Sequence, residues 1–350
     1  MARNQDPFSR YEEEYIRRLE RVFGDAVQNI KDRVTLKALI RALRAGDVET
    51  ALRVLDITED DFQELDITLE ELYRKAGEAF GEDVPPIRDP LTGAVIQFSF
   101  TARNPRAERW LLEQSSKLVR EVTESVKETA RQELQAGLAQ GKNPRATALE
   151  LVGRLDRAKG KREGGSIGLT STQAQHVANL KAQLASGDPA KMKQALDRKL
   201  IDKRYTRTIQ KAIREGKPVP ADKLQRIVDL YKGRYIKYRG EVIARTETLR
   251  ALGASQREAW QQSIDKGHAA EQDIRRYWVT AGDERVRGSH RVIPKMNKGG
   301  VGWNEPFKTP TGDSLNAPHD HDVMCRCRTR IKVDYIAAGL RRREERLGRG

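Results

Sequence analysis

Apolar residues recur every three or four positions along most of this chain, which is the signature of amphipathic helices. Leu36, Leu39, Ile40 and Leu43 form one such stripe, and Gly46 is placed to end it. Thr58 and Asp61 have the spacing of a capping pair ahead of Phe62, Leu65, Leu69 and Leu72. Residues 8–80 are therefore predicted to be helical throughout, forming a small bundle in which nothing points to chemistry. Pro85, Pro86 and Pro90 interrupt the pattern, and the β-prone residues 94–100 predict a short strand. A long helix is predicted from residue 105, with Asn104 as N-cap, Pro105 in the first turn, and Leu111, Leu118, Val122, Val126 and Leu134 on one face. Asn-Pro-Arg-Ala recurs at 143–146 and predicts a second helix start. Residues 159–169 are rich in glycine and basic residues and read as a linker. Beyond it, Thr170 with Gln173 reads as a capping box, a stop falls near Gly187, and Asp188-Pro189 begins another helix. Helix is expected to about residue 267, punctuated by Gly216, Pro218, Pro220, Gly240 and Gly267.

The last hundred residues change period. Residues 274–281 predict a strand followed by a Gly-Asp turn, and 294–320 predict a long ordered loop. Residues 323–333 alternate strictly. Val323, Cys325, Cys327, Thr329, Ile331 and Val333 share one face, and Met324, Arg326, Arg328, Arg330 and Lys332 the other. That pattern predicts a strand with its cysteines turned inward and its cations outward. The fold class expected is mainly α with a small α+β C-terminal domain, in a multi-domain chain. Its segments are an acidic helical domain (1–82), a proline-rich connector (83–103), a long-helix segment (104–158), the linker (159–169), a basic helical segment (170–234), a helix-plus-hairpin domain (235–335) and a basic tail (336–350).

Composition sharpens this picture. The chain has 350 residues, 66 Lys+Arg against 51 Asp+Glu, and a net charge of +15. No apolar run reaches the roughly 18 residues of a membrane span, and the first fifteen residues show no apolar stretch of a secretory leader. Two cysteines separated by one residue exclude a disulfide scaffold and fit a chain made in reducing cytosol. The charge is uneven: residues 1–100 carry 14 basic and 21 acidic side chains, whereas the other 250 carry 52 and 30. A basic body is expected to meet a polyanion. Residues 198–239 hold 14 basic and four acidic residues interleaved with Tyr205, Tyr231, Tyr235 and Tyr238. On a helix, Lys203, Arg207, Lys211 and Arg214 align as one stripe. The candidate contacts to double-stranded DNA are these four with Arg204, Lys232, Arg234, Lys237 and Arg239, joined by Arg326, Arg328 and Arg330 of the last strand. No sequence-reading motif accompanies them, so such binding is expected to be sequence-independent. The plainer alternative is a solvated helix face.

His290, His319 and His321 lie within forty residues of the cysteines, with Asp283, Asp320 and Asp322 nearby. Two thiolates on one face with one or two imidazoles make a candidate tetrahedral zinc site, with His290, Cys325, Cys327 and His319 as ligands. The alternative is a pair of small buried hydrophobes. A metal-dependent nuclease or a thiol hydrolase built on the same cluster is a further reading. No nucleophile elbow, phosphate loop or two-His helical motif supports it, so the expectation is a protein that is not an enzyme.

The order of motifs carries a resemblance. Residues 242–248 (Val-Ile-Ala-Arg-Thr-Glu-Thr) precede 255–260, then 277–287 (Tyr-Trp-Val-Thr-Ala-Gly-Asp-Glu-Arg-Val-Arg), Ser289-His290, Glu305-Pro-Phe307 and Cys325-Arg-Cys327. This resembles the phage head morphogenesis family, minor head proteins similar to protein F of phage Mu, over about residues 235–333. The resemblance implies a component of the virion, made in the host cytoplasm and sited inside the head near the portal. Its implied partners are portal, scaffold or major capsid protein, and DNA during packaging or ejection. The family's marked positions fall here on Arg245, Thr246, Glu247, Trp278, Asp283, Arg285, Arg287, His290, Cys325 and Cys327. One departure is Asp-His-Asp-Val-Met before the cysteines, where relatives often carry Asn. Physically, Arg245 or Arg287 paired with Glu247 or Asp283 is expected to lock helix to hairpin. The stand-alone alternative is a basic nucleic-acid-binding protein with no virion role.

Overall fold

The computed structural model describes residues 6–89, 91–320, 322–334, 336 and 338–340; the arginine-rich tail beyond 340 and His321 lie outside them. The helices are α1 (Pro7–Arg33), α2 (Leu36–Arg44), α3 (Val48–Leu55), α4 (Gln63–Gly81), α5 (Pro105–Ala139), α6 (Pro144–Val152), α7 (Ser171–Ala185), α8 (Pro189–Leu196), α9 (Thr206–Glu215), α10 (Ala221–Asp265) and α11 (Gly288–Met296). Three 3-10 turns (Glu59–Phe62, Lys203–Tyr205 and Glu271–Asp273) and four two-stranded antiparallel ladders complete the described elements: β1 (Ile87–Arg88) with β2 (Val95–Ile96), β3 (Arg154–Asp156) with β4 (Lys161–Glu163), β5 (Ile274–Val279) with β8 (Arg328–Val333), and β6 (Phe307–Lys308) with β7 (Ser314–Leu315). The chain is thus mainly α, with a small α+β region near its C-terminus.

Local chemistry accounts for the helix starts. The Thr58 backbone N–H donates to the Asp61 carboxylate, Thr170 and Gln173 form a reciprocal capping box, and Asn104, Asn143 and Asp188 accept backbone N–H groups of their first turns. Each cap satisfies donors that a helix N-terminus leaves unpaired. Gly240 does not punctuate α10, which runs unbroken for 45 residues. Packing of a continuous apolar stripe outweighs the roughly 1 kcal/mol cost of one helical glycine.

The chain divides into two compact units that are not sequential. One comprises Met1–Leu19, Ile67–Ser115 and Val242–Gly350, the other Glu20–Asp66 and Ser116–Glu241. The expected serial segments do not coincide with them, and the expected 234/235 boundary falls inside α10.

In the second unit, α7, α8, α9 and the first part of α10 pack around Leu180, Leu184, Met192, Ile209, Ile227 and Tyr231. Residues 159–169 are not a linker. They include β4 and the buried Ser166, Ile167 and Leu169, and the Ser166 and Ile167 N–H groups both donate to the Leu151 carbonyl. Gly165 has φ +77°, and a Cβ there would fall 2.7 Å from the Leu151 carbonyl oxygen, so the glycine marks a close backbone approach rather than flexibility. The buried Lys31 donates to the Gly164 carbonyl at 2.9 Å.

In the first unit, Val84, Trp260, Ala269, Ile274 and Trp303 form one core. Trp278, Val286, Ile293, Val301, Phe307, Leu315 and both cysteines form another. The β-prone 94–100 stretch yields only the two residues of β2; Phe100 beyond it is buried, its ring where a side chain at Gly77 would stand. Residues 274–279 form β5 as expected, with Ile274, Arg276 and Trp278 buried. Its partner strand is shorter than the alternation implies. β8 begins at Arg328, and Cys325 and Cys327 lie in the loop before it. Met324 has φ +59°, which takes the backbone out of the extended conformation.

Candidate metal centre and basic face

The cluster is assembled by three neighbouring elements. The β5–β8 register pairs Val279 with Arg328, so Cys327 enters just beyond the ladder's end, next to Trp278. α11 carries His290 in its first turn, buried beneath Trp278, with the two rings edge-on at 5.4 Å between centroids. α10 pins the loop: the Met324 N–H donates to Thr246 Oγ1 at 3.1 Å.

His290 Nδ1 lies 3.5 Å from Cys325 Sγ and 3.6 Å from Cys327 Sγ. On its other side, His290 Nε2 is 2.7 Å from an Asp322 carboxylate oxygen. Both cysteines are 2% exposed. They share a proton unevenly. The Cys327 thiol donating to Cys325, with His319 nearby, holds Cys325 well below the usual thiol range, although burial opposes this. The same interaction with Cys325, reinforced by burial, pushes Cys327 up. His290, Cys325 and Cys327 offer ligand atoms all within 4.8 Å of one another. His319, the fourth predicted ligand, is buried but lies outside that three-residue cluster; among the described residues its Nε2 has no hydrogen-bond partner, and its carbonyl accepts from Arg250 of α10. A cavity of about 500 Å³ opens beside the cluster, lined by Arg287, Ser289, His290, Thr309, Thr311 and Asp322 among others, but by neither cysteine.

The remaining marked positions surround this cluster, with some partners redistributed. Asp283 is taken by Arg326, not by Arg245 or Arg287. Arg287 instead reaches Asp322 at 3.8 Å and donates to the Val323 carbonyl at 2.7 Å. Glu247 accepts from Arg250 one turn along its own helix and from Gln114 of α5. Arg245 stands near Glu12 of α1, whose carboxyl burial pushes up while Arg245 and Arg328 pull it back. Arg285 is exposed, and its backbone N–H donates to Asp283. Thr246 and Arg250 of α10 also grip the loop, through the Met324 N–H and the His319 carbonyl.

One residue named from the sequence only as a nearby carboxylate gains a definite role, and one that sequence reasoning did not name proves central. Asp322 buttresses His290. Arg276 is buried at 2% exposure and donates to the carbonyls of Gly302, Glu305 and Asn316, holding the 300–316 loop against β5. Burial lowers its pKa to about 10. The signal was present: strand alternation puts Arg276 on the face of Ile274 and Trp278.

The predicted DNA contacts fall into two groups. Lys203, Arg204, Arg207, Lys211, Arg214 and Lys237 are exposed. Arg207, Lys211 and Arg214 share the solvent face of α9, whose other face buries Ile209 and Ala212. The Lys211 ammonium has only a loose neighbour, Glu215 at 3.8 Å. The second group, apart from Arg330, is spent internally. Lys232 is buried and donates to the Glu150 carbonyl. Arg239 is buried and donates to the Gly168 carbonyl across the Phe23 ring. Both are withdrawn from any DNA surface. Arg234 is half-buried, bonds the Leu200 and Ile201 carbonyls and shares Asp202 with Arg204. Arg326 is held by Asp283 and Arg328 by Asp6; Arg330 is exposed.

The site is thus a buried Cys/His cluster at the end of an antiparallel ladder, beside a cavity lined by His290 but by neither cysteine. Residues 190–330 match the family model described as Phage Mu protein F like protein, and over that stretch the chain is phage Mu protein F-like. The match starts 45 residues upstream of the motif-based limit and takes in α8, α9 and all of α10. No curated protein and no solved structure matches the chain.

Proposed function

We propose that this chain is a minor head protein of a phage, an architectural component that joins portal, scaffold or major capsid protein and contacts double-stranded DNA without reading its sequence. The match of residues 190–330 to the Mu F-like family carries the reading. The DNA contact is supported by the solvent face of α9, where Arg207, Lys211 and Arg214 are exposed and Lys211 stands 3.8 Å from Glu215. Such a face neutralises phosphates and releases counterions regardless of base sequence. A structural rather than enzymatic role is supported by the burial of both thiols and their absence from the neighbouring cavity. Among the described residues no helix is long and apolar enough to cross a membrane.

Co-expression with the cognate portal and capsid proteins tests the assembly role. The chain is expected to co-sediment with procapsids and to be retained on immobilised portal. A chain that binds DNA yet leaves both assemblies unlabelled is a stand-alone nucleic-acid-binding protein. Incubating supercoiled plasmid with excess protein, with and without chelator, tests the non-enzymatic reading, for which no nicking is expected in either arm.

A further inference from the structure

The Cys/His knot contains more sulphur than one imidazole nitrogen can satisfy. His290 Nδ1 has either one proton or one lone pair, yet two sulphurs stand 3.5 and 3.6 Å from it. A shared metal ion resolves that crowding. Tetrahedral zinc, with Zn–S of about 2.3 Å and Zn–N of about 2.0 Å, sets each sulphur about 3.6 Å from the nitrogen. The far side of the ring is also arranged for it. Asp322 holds Nε2 at 2.7 Å, which keeps the proton there and leaves the Nδ1 lone pair directed at the cysteines. Carboxylate-backed imidazole with two thiolates suits zinc and disfavours calcium or magnesium, which require oxygen donors. Nearby, the buried His319 Nε2 has no hydrogen-bond partner among the described residues.

We infer that His290, Cys325 and Cys327 ligate a structural zinc ion; His319, buried near Cys325 but outside this three-residue cluster, is the candidate for the fourth position. The ion ties the first turn of α11 to the loop that enters β8, a join otherwise made by the His290–Asp322 pair and by Arg287 just before the helix. The same atoms also resemble a thiol–imidazole–carboxylate triad, Cys325–His290–Asp322. A nucleophile must meet substrate, however, and Cys325 neither lines the cavity nor exceeds 2% exposure.

Metal analysis of the purified full chain tests the inference directly. About one zinc per chain is expected, removable by a strong chelator and restored by zinc alone. Cobalt(II) replacing it should show thiolate charge-transfer absorption. Asp322→Asn should weaken zinc binding about 10- to 100-fold while leaving the three ligands in place. His319→Ala should also weaken it, and unchanged affinity there overturns the assignment of the fourth ligand. If the double variant Cys325→Ser/Cys327→Ser does not fold, His290→Cys provides the independent arm: it should keep the metal and add a third thiolate to the cobalt spectrum. A folded wild-type chain that takes up neither zinc nor cobalt overturns the inference. So does rapid alkylation of Cys325 in the folded chain at neutral pH, which identifies a free reactive thiolate instead.

Discussion

The cations of α9 and those of the 323–333 segment look alike in the sequence and do different things in the fold. Both sets recur at the spacing that aligns them on one face of their predicted element. In α9, Arg207, Lys211 and Arg214 meet water, and the buried side is purely apolar. Along 323–333, Arg326 closes on Asp283 and Arg328 on Asp6, leaving Arg330 exposed. The β5 strand shows the extreme case, an arginine turned fully inward to bond three carbonyls. Spacing thus reports the direction in which a charge points within its own element. Whether that charge remains available depends on what packs against it.

Four experiments sharpen the contrast. The largest effect is expected at Arg276. Arg276→Met leaves three carbonyls without their donor and should destabilise the fold by about 3 kcal/mol, whereas Arg207→Met should stay within about 0.5 kcal/mol; urea denaturation distinguishes them. Next, the triple charge reversal Arg207→Glu/Lys211→Glu/Arg214→Glu should weaken DNA binding on the order of 10- to 100-fold at physiological salt. Reversing Arg326 and Arg328 should leave DNA affinity within a few-fold and lower thermal stability instead. Equal losses from the two variants, read by fluorescence anisotropy, would erase the distinction between the regions.

Lys31 supplies a pH test. Burial lowers its pKa to about 8 in the folded chain, against roughly 10.4 when unfolded. Between those values the unfolded chain holds a proton that the folded chain has released, so stability rises with pH across that window. Lys31→Met should reduce that rise, leaving any contribution from Lys232, whose pKa burial also lowers. Denaturation at pH 7.5 and 10 measures the difference; identical slopes would refute it. The smallest effect, about 1 kcal/mol, is expected for Thr246→Val, which removes the bond to the Met324 N–H.

Much of the helical framework was legible in the sequence because its signals are local. Caps at Asn104, Thr170 and Asp188 act within one turn, and the apolar stripes need only a period. The inward turn of the cysteines was also legible, but not their backbone. Alternation continues through 323–327 although the chain leaves the strand, because Met324 adopts a left-handed conformation supported by Thr246, some 78 residues away in sequence. No local feature marks a methionine for that conformation. Residues 159–169 misled for a related reason. Their glycines read as flexibility, yet Gly165 is required where the backbone meets Leu151. At the candidate metal centre, the Cys and His ligands were nameable from residue type, whereas the Asp322 support depends on how α11 meets the loop.

The proposed DNA contact rests on the cationic solvent face of α9. Measuring the dissociation constant of the full chain for two unrelated duplexes across a range of salt tests it most directly. The same steep linear fall of log affinity with log salt is expected on both duplexes, with a slope about 0.9 shallower for each α9 phosphate contact removed by the triple reversal. A flat salt dependence, or a slope that the α9 reversal leaves unchanged, would contradict it.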